Sequence, residues 1–310
     1  MILAAGKGTR IYPFSETLPK PILPVCNQPL LACQLEFLRA YGAREVLIVI
    51  GHLGYTIVDA LGDGSRWGVT IRYVEQRETL GLAHAVGKLE KSIDSPFILL
   101  LGDIYFTTGD LKPMIRRVLG GEINGFLASK IEPDPEMIRR NFAIMADDDG
   151  RVRRVVEKPH FPRSTVKGCG LYVFDQHVFD AIRRTPRTAM RDEYEITDSI
   201  QIMIDDGATV YHDPVVVEDM NITFPDDLLH VNRMELRKRG LDRLVAAGVT
   251  VPPGSDVRGS VIGAGATFDR PVRLTNSLVL AGTRVTAPGD LDHVIAHGDS
   301  VVQCQDLGSA

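Results

Sequence analysis

Two glycines, a threonine, an arginine and a lysine fall close together near the start of the chain. They are Gly6, Gly8, Thr9, Arg10 and Lys20, in the run MILAAGKGTRIYPFSETLPKPILPV. These residue types suit one task, the binding of a polyanion. Glycines let the backbone turn tightly and present bare N–H groups, which form a concave anion site. Thr9 adds a hydroxyl donor. The guanidinium of Arg10 is a planar fork that matches phosphate oxygens. Lys20, between Pro19 and Pro21, adds a point charge on a stiffened loop. A strand feeding such a loop places it at the carboxyl edge of a sheet, where α/β folds bind ligands. Two cations there suit a triphosphate. A lone G-x-G does not separate this reading from an exposed Lys and Arg beside a tight turn. The pattern is neither G-x-G-x-x-G nor a P-loop.

Elements able to position these groups are legible in the hydrophobic pattern. Apolar runs at residues 2–5, 45–50, 69–74, 97–101 and 126–129 read as strands. Between them, residues 30–41, 81–90 and 111–119 show helical spacing. The alternation predicts an α/β fold with a mainly parallel sheet and helices on both faces. Continuous apolar strands such as FILLL fit a sheet buried on both sides. After residue 140 the pattern becomes mixed. FAIMADDDGRVRRVVEKP reads as a hairpin turning at Asp148-Asp149-Gly150, GCGLYVFD as a strand, and HVFDAIRR and EITDSIQIMIDDG as helices. An amphipathic helix is expected over residues 227–247, ending at Gly248. From Val249 on, apolar residues fall six apart, at Ile262, Phe268, Leu274 and Leu280, while GSVIGAG, NSLVLAG and DHVIAHG recur. Such a hexad predicts a short left-handed parallel β-helix; a plain hairpin tail is the alternative. The Pro/Gly-rich GVTVPPGSD marks the boundary. The expected division is thus a catalytic domain over 1–247 and a tail over 248–310.

Composition narrows the function. A chain of 310 residues suits one large domain plus an appendage. It is 44% hydrophobic and 24% charged, with mean hydropathy +0.01, as an ordinary globular protein is. The net charge of −5 and pI of about 5.9 argue against a nucleic-acid partner. Cys26, Cys33, Cys169 and Cys304 lie far apart, so neither a disulfide framework nor a zinc site is expected. No apolar run is long enough to span a bilayer, and no secretory leader is recognisable, so the expected compartment is the cytoplasm, without a membrane partner.

LAAGKGTR followed by LPKPILPV resembles the signature of the sugar-1-phosphate nucleotidyltransferases, and the resemblance extends to about residue 235. It implies a Rossmann-like, GT-A-like mixed sheet flanked by helices. It also implies a reaction of nucleoside triphosphate with sugar 1-phosphate to give NDP-sugar and pyrophosphate, with Mg²⁺ as cofactor. Under the resemblance the nucleotide contacts Leu3, Ala4, Ala5, Gly6, Gly8, Thr9, Arg10, Lys20, Gln76, Gly81 and Asp103. Of these, Arg10, Lys20 and Asp103 are the catalytic residues. Gln76, in EQRETLGLAHAV, would bond the base edge, with Gly81 allowing close backbone approach. Asp103, in LLLGDIYF, would bind the metal. Glu157 and Lys158, in VVEKP, would hold the sugar hydroxyls and phosphate. Gly170 would lie beside the sugar, and Arg191 in RDEYEITD would meet the sugar phosphate, with Glu195 nearby. Polar-loop, capping and packing roles are the plainer alternatives for these positions.

Two departures stand out. NFAIM occupies a place where the family usually has an aromatic-Gly-Val segment, so Ala143 replaces a glycine next to the sugar. Under the resemblance VEDMNITFPDDL would carry the second metal position at Asn221, where many members have Asp, with Asp219 two residues earlier as the other candidate. Gln76 with GLAHAV favours UTP or dTTP over a guanylyl-, adenylyl- or cytidylyl-transfer. A non-catalytic regulatory or scaffold subunit of the same fold is the rival from another class, and a stand-alone oligomerisation protein a third. His84 reads as packing or capping. His293 and His297 sit in a tail too short for hexapeptide acyltransferase chemistry. Exposed coil edges in that tail suggest a homo-oligomer.

Overall fold

Every residue of the first strand, β1 (Ile2–Ala4), is buried, and the sheet grows from it in both directions in the computed structural model. The structure describes residues 1–6, 8–76, 78–189, 192–286 and 289–307. On one side β1 pairs in parallel with β2 (Glu45–Ile50), and β2 with β3 (Thr70–Glu75). On the other it pairs in parallel with β4 (Phe97–Leu101). Five more strands complete a nine-stranded sheet: β5 (Gly125–Ile131), β6 (Phe142–Ala146), β7 (Val152–Glu157), β8 (Val166–Phe174) and β9 (Val210–Asp213). Its order is β7-β6-β8-β4-β1-β2-β3, with β5 pairing β8 and β9 pairing β5.

The sheet is mixed, where helix–strand alternation alone predicts a mainly parallel one. β8 runs antiparallel to β4, β5 and β6, and β6–β7 is the hairpin read from the sequence. A tight turn such as the one closed by Gly150 N–H donating to the Asp147 carbonyl, 2.9 Å, returns the chain antiparallel without a crossover. Both faces of the sheet are buried, and one large cluster packs on one of them. Leu99, Leu127, Ile144, Tyr172 and Phe174 meet the helices Leu82–Gly87, His177–Arg184 and Ile196–Asp205. The rings of Phe142, Tyr172 and Phe174 stack in a row, 6.1 and 5.7 Å apart. Burying one such side chain contributes about 1.5–3 kcal/mol.

The chain divides into two compact units. The first comprises Met1–Ala5, Leu35–Gly51 and Gly62–Asp219, and so holds the sheet. The second comprises Gly6–Gln34, His52–Leu61 and everything from Met220 on. This division differs from the boundary at residue 248 expected from composition. Short-range texture does not report which distant segments pack together.

In the second unit the chain after the helix Pro225–Lys238 forms stacked coils. The helix stops well before residue 247, because Gly240 takes a left-handed φ of 66° and Arg243–Val245 already pairs with Ser260–Ile262. Three sets of parallel strands follow. Arg243–Val245, Ser260–Ile262, Leu278–Val279 and Val294–His297 form one sheet, closed by antiparallel Ser300–Gln303. Asp256–Arg258, Arg273–Thr275 and Leu291–Asp292 form the second, and Thr267–Phe268 with Arg284–Val285 the third. Equivalent positions lie 17 residues apart, as Ser260 and Ser277 do, rather than the 18 implied by a strict hexad. Val279, not Leu280, therefore stands in register with Ile262. Val261, Leu278 and Ile295 are buried too, where the helix Pro225–Lys238 packs on this sheet. All four cysteines are free, and burial pushes the thiols of Cys26 and Cys304 up to about 11 and about 12, so both stay protonated and inert at neutral pH.

Candidate functional site

The glycine loop belongs to the second unit. Gly8 turns at φ 63°, and the N–H of Ile11 donates to its carbonyl across 3.1 Å, forming the single helical turn Thr9–Ile11. Ile11 and Phe14 are fully buried and anchor the loop, which leaves Thr9 and Arg10 exposed. The chain then doubles back so that Lys20 lies across Gly8. A β-carbon on Gly8 would sit 2.8 Å from Cγ of Lys20 and 3.3 Å from Cδ and Cε. Only a glycine leaves room for that stem, and this contact accounts for the spacing of the two halves of the motif. Lys20 is only 6% exposed, within the turn Lys20–Ile22 that Ile22 N–H closes on the Pro19 carbonyl at 2.9 Å. A β-carbon on Gly6 would meet nothing within 4 Å, so packing does not dictate that glycine.

Leu3 and Ala4 end β1 in the first unit and Ala5 follows, and two glycines absent from the sequence-level reading flank them. β-Carbons on Gly51 and Gly102 would stand 2.7 Å from the Ala5 carbonyl oxygen and 2.8 Å from that of Leu3. The carboxyl end of β1 is thereby pinched between its neighbours. Gly102 N–H donates to the Leu3 carbonyl at 2.8 Å, and Asp103 follows at once, half-buried, in the turn leading to the strand Ile104–Thr108.

Gln76 is 6% exposed, and its side-chain amide donates to the Glu78 carbonyl at 2.9 Å. Gly81 has a reason of its own to be glycine. At φ 106° its β-carbon would lie 2.5 Å from the Tyr194 carbonyl oxygen. Tyr194 N–H donates to the Leu80 carbonyl, and Ala83 N–H to the Tyr194 carbonyl. The loop around Gln76 is thus laced to the stretch around Tyr194. His84 stacks on Tyr194 with centroids 6.0 Å apart, and burial lowers its pKa, so the packing reading of this histidine fits.

The stretch around Glu157 forms a cleft of about 760 Å³, lined among others by Glu157, Lys158, Glu195, Asp198 and Arg154. Thr197 donates its hydroxyl to Glu157 at 3.3 Å, and Lys158 Nζ stands 3.9 Å from the same carboxylate. Lys158 has φ 40°, a left-handed conformation costly for a residue with a β-carbon. Its N–H donates to the Asn141 carbonyl at 2.8 Å, which holds it there. Backbone strain of this kind clusters at functional sites. Glu195 is buried at the start of the helix Ile196–Asp205. Ala143 is 2% exposed and pairs with Val156 on one side and Lys167 on the other. Gly170, at φ 67°, packs against Leu101 and Ile104, the neighbours of the Asp103 turn. Arg191 lies outside the described residues.

Asn221 is exposed at the end of the strand Val216–Asn221, which pairs with Ile104–Thr108. Asp219, the other candidate for the second metal position, is engaged elsewhere. Both of its carboxylate oxygens lie 2.9 Å from Nζ of Lys167, and Glu132 is 3.8 Å from the same nitrogen. Lys167 is 1% exposed and was not singled out in the sequence. The only signal for it is a lysine at the head of the otherwise apolar strand VKGCGLYVF. Among the described residues no three His, Cys, Asp or Glu side chains cluster as a metal cage.

A family model described as nucleotidyl transferase matches residues 1–217. The low-salt glycan biosynthesis nucleotidyltransferase Agl11 of Haloferax volcanii is 35% identical over 248 residues, 78% of this chain and 67% of that protein. A glucose-1-phosphate thymidylyltransferase of Streptomyces griseus is 34% identical, covering 90% of this chain and 80% of its own length. The crystal structure of a putative glucose-1-phosphate thymidylyltransferase from Bacillus anthracis, in complex with a sucrose, matches with a TM-score of 0.67 at 25% identity, over 75% of this chain and 93% of the other. The likeness to that crystal structure shows the same α/β fold with a mixed sheet and helices. A match of this extent to the family model, with relatives above one-third identity along most of the chain, leads to a plain conclusion: this chain belongs to the nucleotidyl transferase family and is a nucleotidyltransferase.

Proposed function

We propose that the protein couples a nucleoside triphosphate to a sugar 1-phosphate and releases pyrophosphate. The observation that carries this reading is Lys20, buried to 6% exposure with its stem laid over Gly8 and Arg10 exposed in the same loop. That loop offers bare backbone, a hydroxyl and two cations, the set a triphosphate requires. A phosphate oxygen of the sugar 1-phosphate attacks the α-phosphorus, a new P–O bond forms, and the α–β anhydride bond breaks to release pyrophosphate. The attacking group is already ionised at neutral pH, so no general base is needed. The protein's work is alignment and the neutralisation of developing charge. Arg10 and Lys20 serve the triphosphate. Glu157 accepts from sugar hydroxyls, and Lys158, with Arg191, meets the sugar phosphate. The buried methyl of Ala143, where the resemblance calls for glycine, points to a sugar that tolerates a tighter wall.

Mg²⁺ binds through one or two protein oxygens together with substrate phosphates rather than in an all-protein cage. Asp103 and the amide oxygen of Asn221 suit an ion that arrives with the nucleotide, and Asp219, neutralised by Lys167, does not compete. When bound, the ion supplies positive charge to the phosphates. Gln76 and Gly81 support UTP or dTTP as the nucleotide, in keeping with the thymidylyl transfer named for the Streptomyces griseus relative. The coil stack is read as a left-handed β-helix whose edges pair with a second copy; sedimentation as a monomer at high micromolar concentration would count against that. A purely regulatory subunit is disfavoured by the joint presence of Arg10, Lys20, Asp103 and Lys158. The test is a matrix of nucleoside triphosphates against sugar 1-phosphates, read by pyrophosphate release with Mg²⁺ and with EDTA. Turnover with UTP or dTTP and a hexose 1-phosphate, abolished by EDTA, is expected. Absence of pyrophosphate release from every pair would overturn the reading.

A further inference from the structure

Between Gly8 and the helix beginning at Leu30 the chain builds only three single helical turns and a two-stranded hairpin of two residues a side. An arm with so little regular structure of its own is held by the surfaces its buried Ile11, Phe14, Leu23 and Val25 pack against. Yet Lys20 sits in its middle, and a cation that must meet developing charge loses much of its effect when displaced by an ångström.

Two contacts to the coil stack flank Lys20. On one side Oγ1 of Thr17 lies 3.2 Å from Nε2 of His297, the last residue of the strand Val294–His297. The His297 ring also stands edge-on to the fully buried ring of Phe14, centroids 5.8 Å apart. Its Nδ1 is buried and finds no hydrogen-bond partner among the described residues, a cost a purely apolar side chain would avoid. On the other side the side-chain N–H of Asn27 donates to the Ile262 carbonyl at 2.9 Å. The turn at Cys26 and Asn27, with φ of 48° and 65°, is stapled to the last helix by Asn232, which is 1% exposed. Asn232 accepts from the Cys26 N–H at 2.7 Å and donates to the Pro24 and Leu228 carbonyls.

We propose that His297 is a positioning residue for the triphosphate loop, and that the coil stack is the support on which the arm carrying Lys20 is held. The inference rests on the loop's proposed role in binding triphosphate. It gives the tail a part in nucleotide handling that self-association does not explain.

The full-length protein is tested as H297A, H297Q, T17V and the double variant T17V/H297A, with K20A as control. KM for the nucleoside triphosphate, KM for the sugar 1-phosphate, kcat and the urea midpoint are measured. H297A is expected to raise the triphosphate KM about fivefold, the scale of one lost hydrogen bond, while the sugar 1-phosphate KM stays put. H297Q restores most of the loss. T17V reproduces the share carried by the hydrogen bond, and T17V/H297A is no worse than H297A, because H297A already removes that bond. An unchanged triphosphate KM in T17V and H297A overturns the proposal. So does a rise in both KM values that merely follows lost stability. Should H297A fail to fold, the conservative and exposed T17V decides alone. Full activity in K20A would refute the triphosphate role of the loop itself, whatever His297 does.

Discussion

The loop around Lys20 and the cleft around Glu157 are built in opposite ways. The loop is one continuous stretch in which Gly8 makes room for Lys20 twelve residues on. The cleft draws on the helix Pro135–Arg139, β7 with the turn after it, the segment near Thr188 and the helix Ile196–Asp205. A local device concentrates its chemistry in few contacts, so one substitution removes function and spares the fold. A distributed one shares its geometry with the core, so substitutions there cost stability first.

The largest expected effect falls on the buried cluster of Lys167, Asp219 and Glu132, in the same unit as the cleft. K167M leaves Asp219 and Glu132 buried without their cation and is expected to destabilise by about 3–5 kcal/mol. The melting temperature then falls by on the order of 10 °C. Pairing it with D219N should recover most of the loss, as differential scanning calorimetry can show. Next come R10A and K20A, each lowering kcat by about 10²–10³, the scale of losing one transition-state donor, as read by pyrophosphate release. If R10A also loses as much stability as K167M, the contrast between the two regions fails.

A pair of glycine substitutions sharpens the comparison. G81A drives a β-carbon to within 2.5 Å of the Tyr194 backbone and is expected to cost about 1–3 kcal/mol in a urea titration. G8A strains the left-handed φ of 63° and pushes the stem of Lys20 aside, so beyond a stability cost its larger effect should appear in kcat, about tenfold. The smallest effect is that of pH. Burial holds the pKa of His212, whose Nδ1 is 2.9 Å from Ser129 Oγ, and that of His230 below the usual 6.5. Each is lower folded than unfolded, so protonation favours the unfolded chain. The stability from keeping them neutral is complete above pH 6.5 and is lost as pH falls from there toward the folded values. The urea midpoint should drop modestly between pH 7.5 and 5, and H212N should flatten that slope.

Much of the loop was legible because it is short-range. Residue type and spacing single out Gly6, Gly8, Thr9, Arg10 and Lys20 as a candidate anion cradle, and the apolar runs of β1, β2 and β4 mark strands of the sheet. Lys167 stayed hidden because its partners Glu132 and Asp219 lie far off in sequence. The helix placed over 227–247 ran too long because only pairing with Ser260–Ile262 converts Arg243–Val245 to a strand.

By itself, then, the sequence determined what depends on neighbours along the chain: the turn at Gly8, the strand and helix periods, and the cations of the loop. Tertiary structure decided what depends on neighbours in space. It showed that Gly81 is glycine because the Tyr194 backbone fills the place of a side chain. It showed Asp219 tied to a buried lysine, and the arm of Lys20 tied at Thr17 and Asn27 to the coil stack. The reason is physical. Backbone preference and hydrophobic period act over a few residues, whereas close packing and charge pairing join groups that only the folded chain brings together.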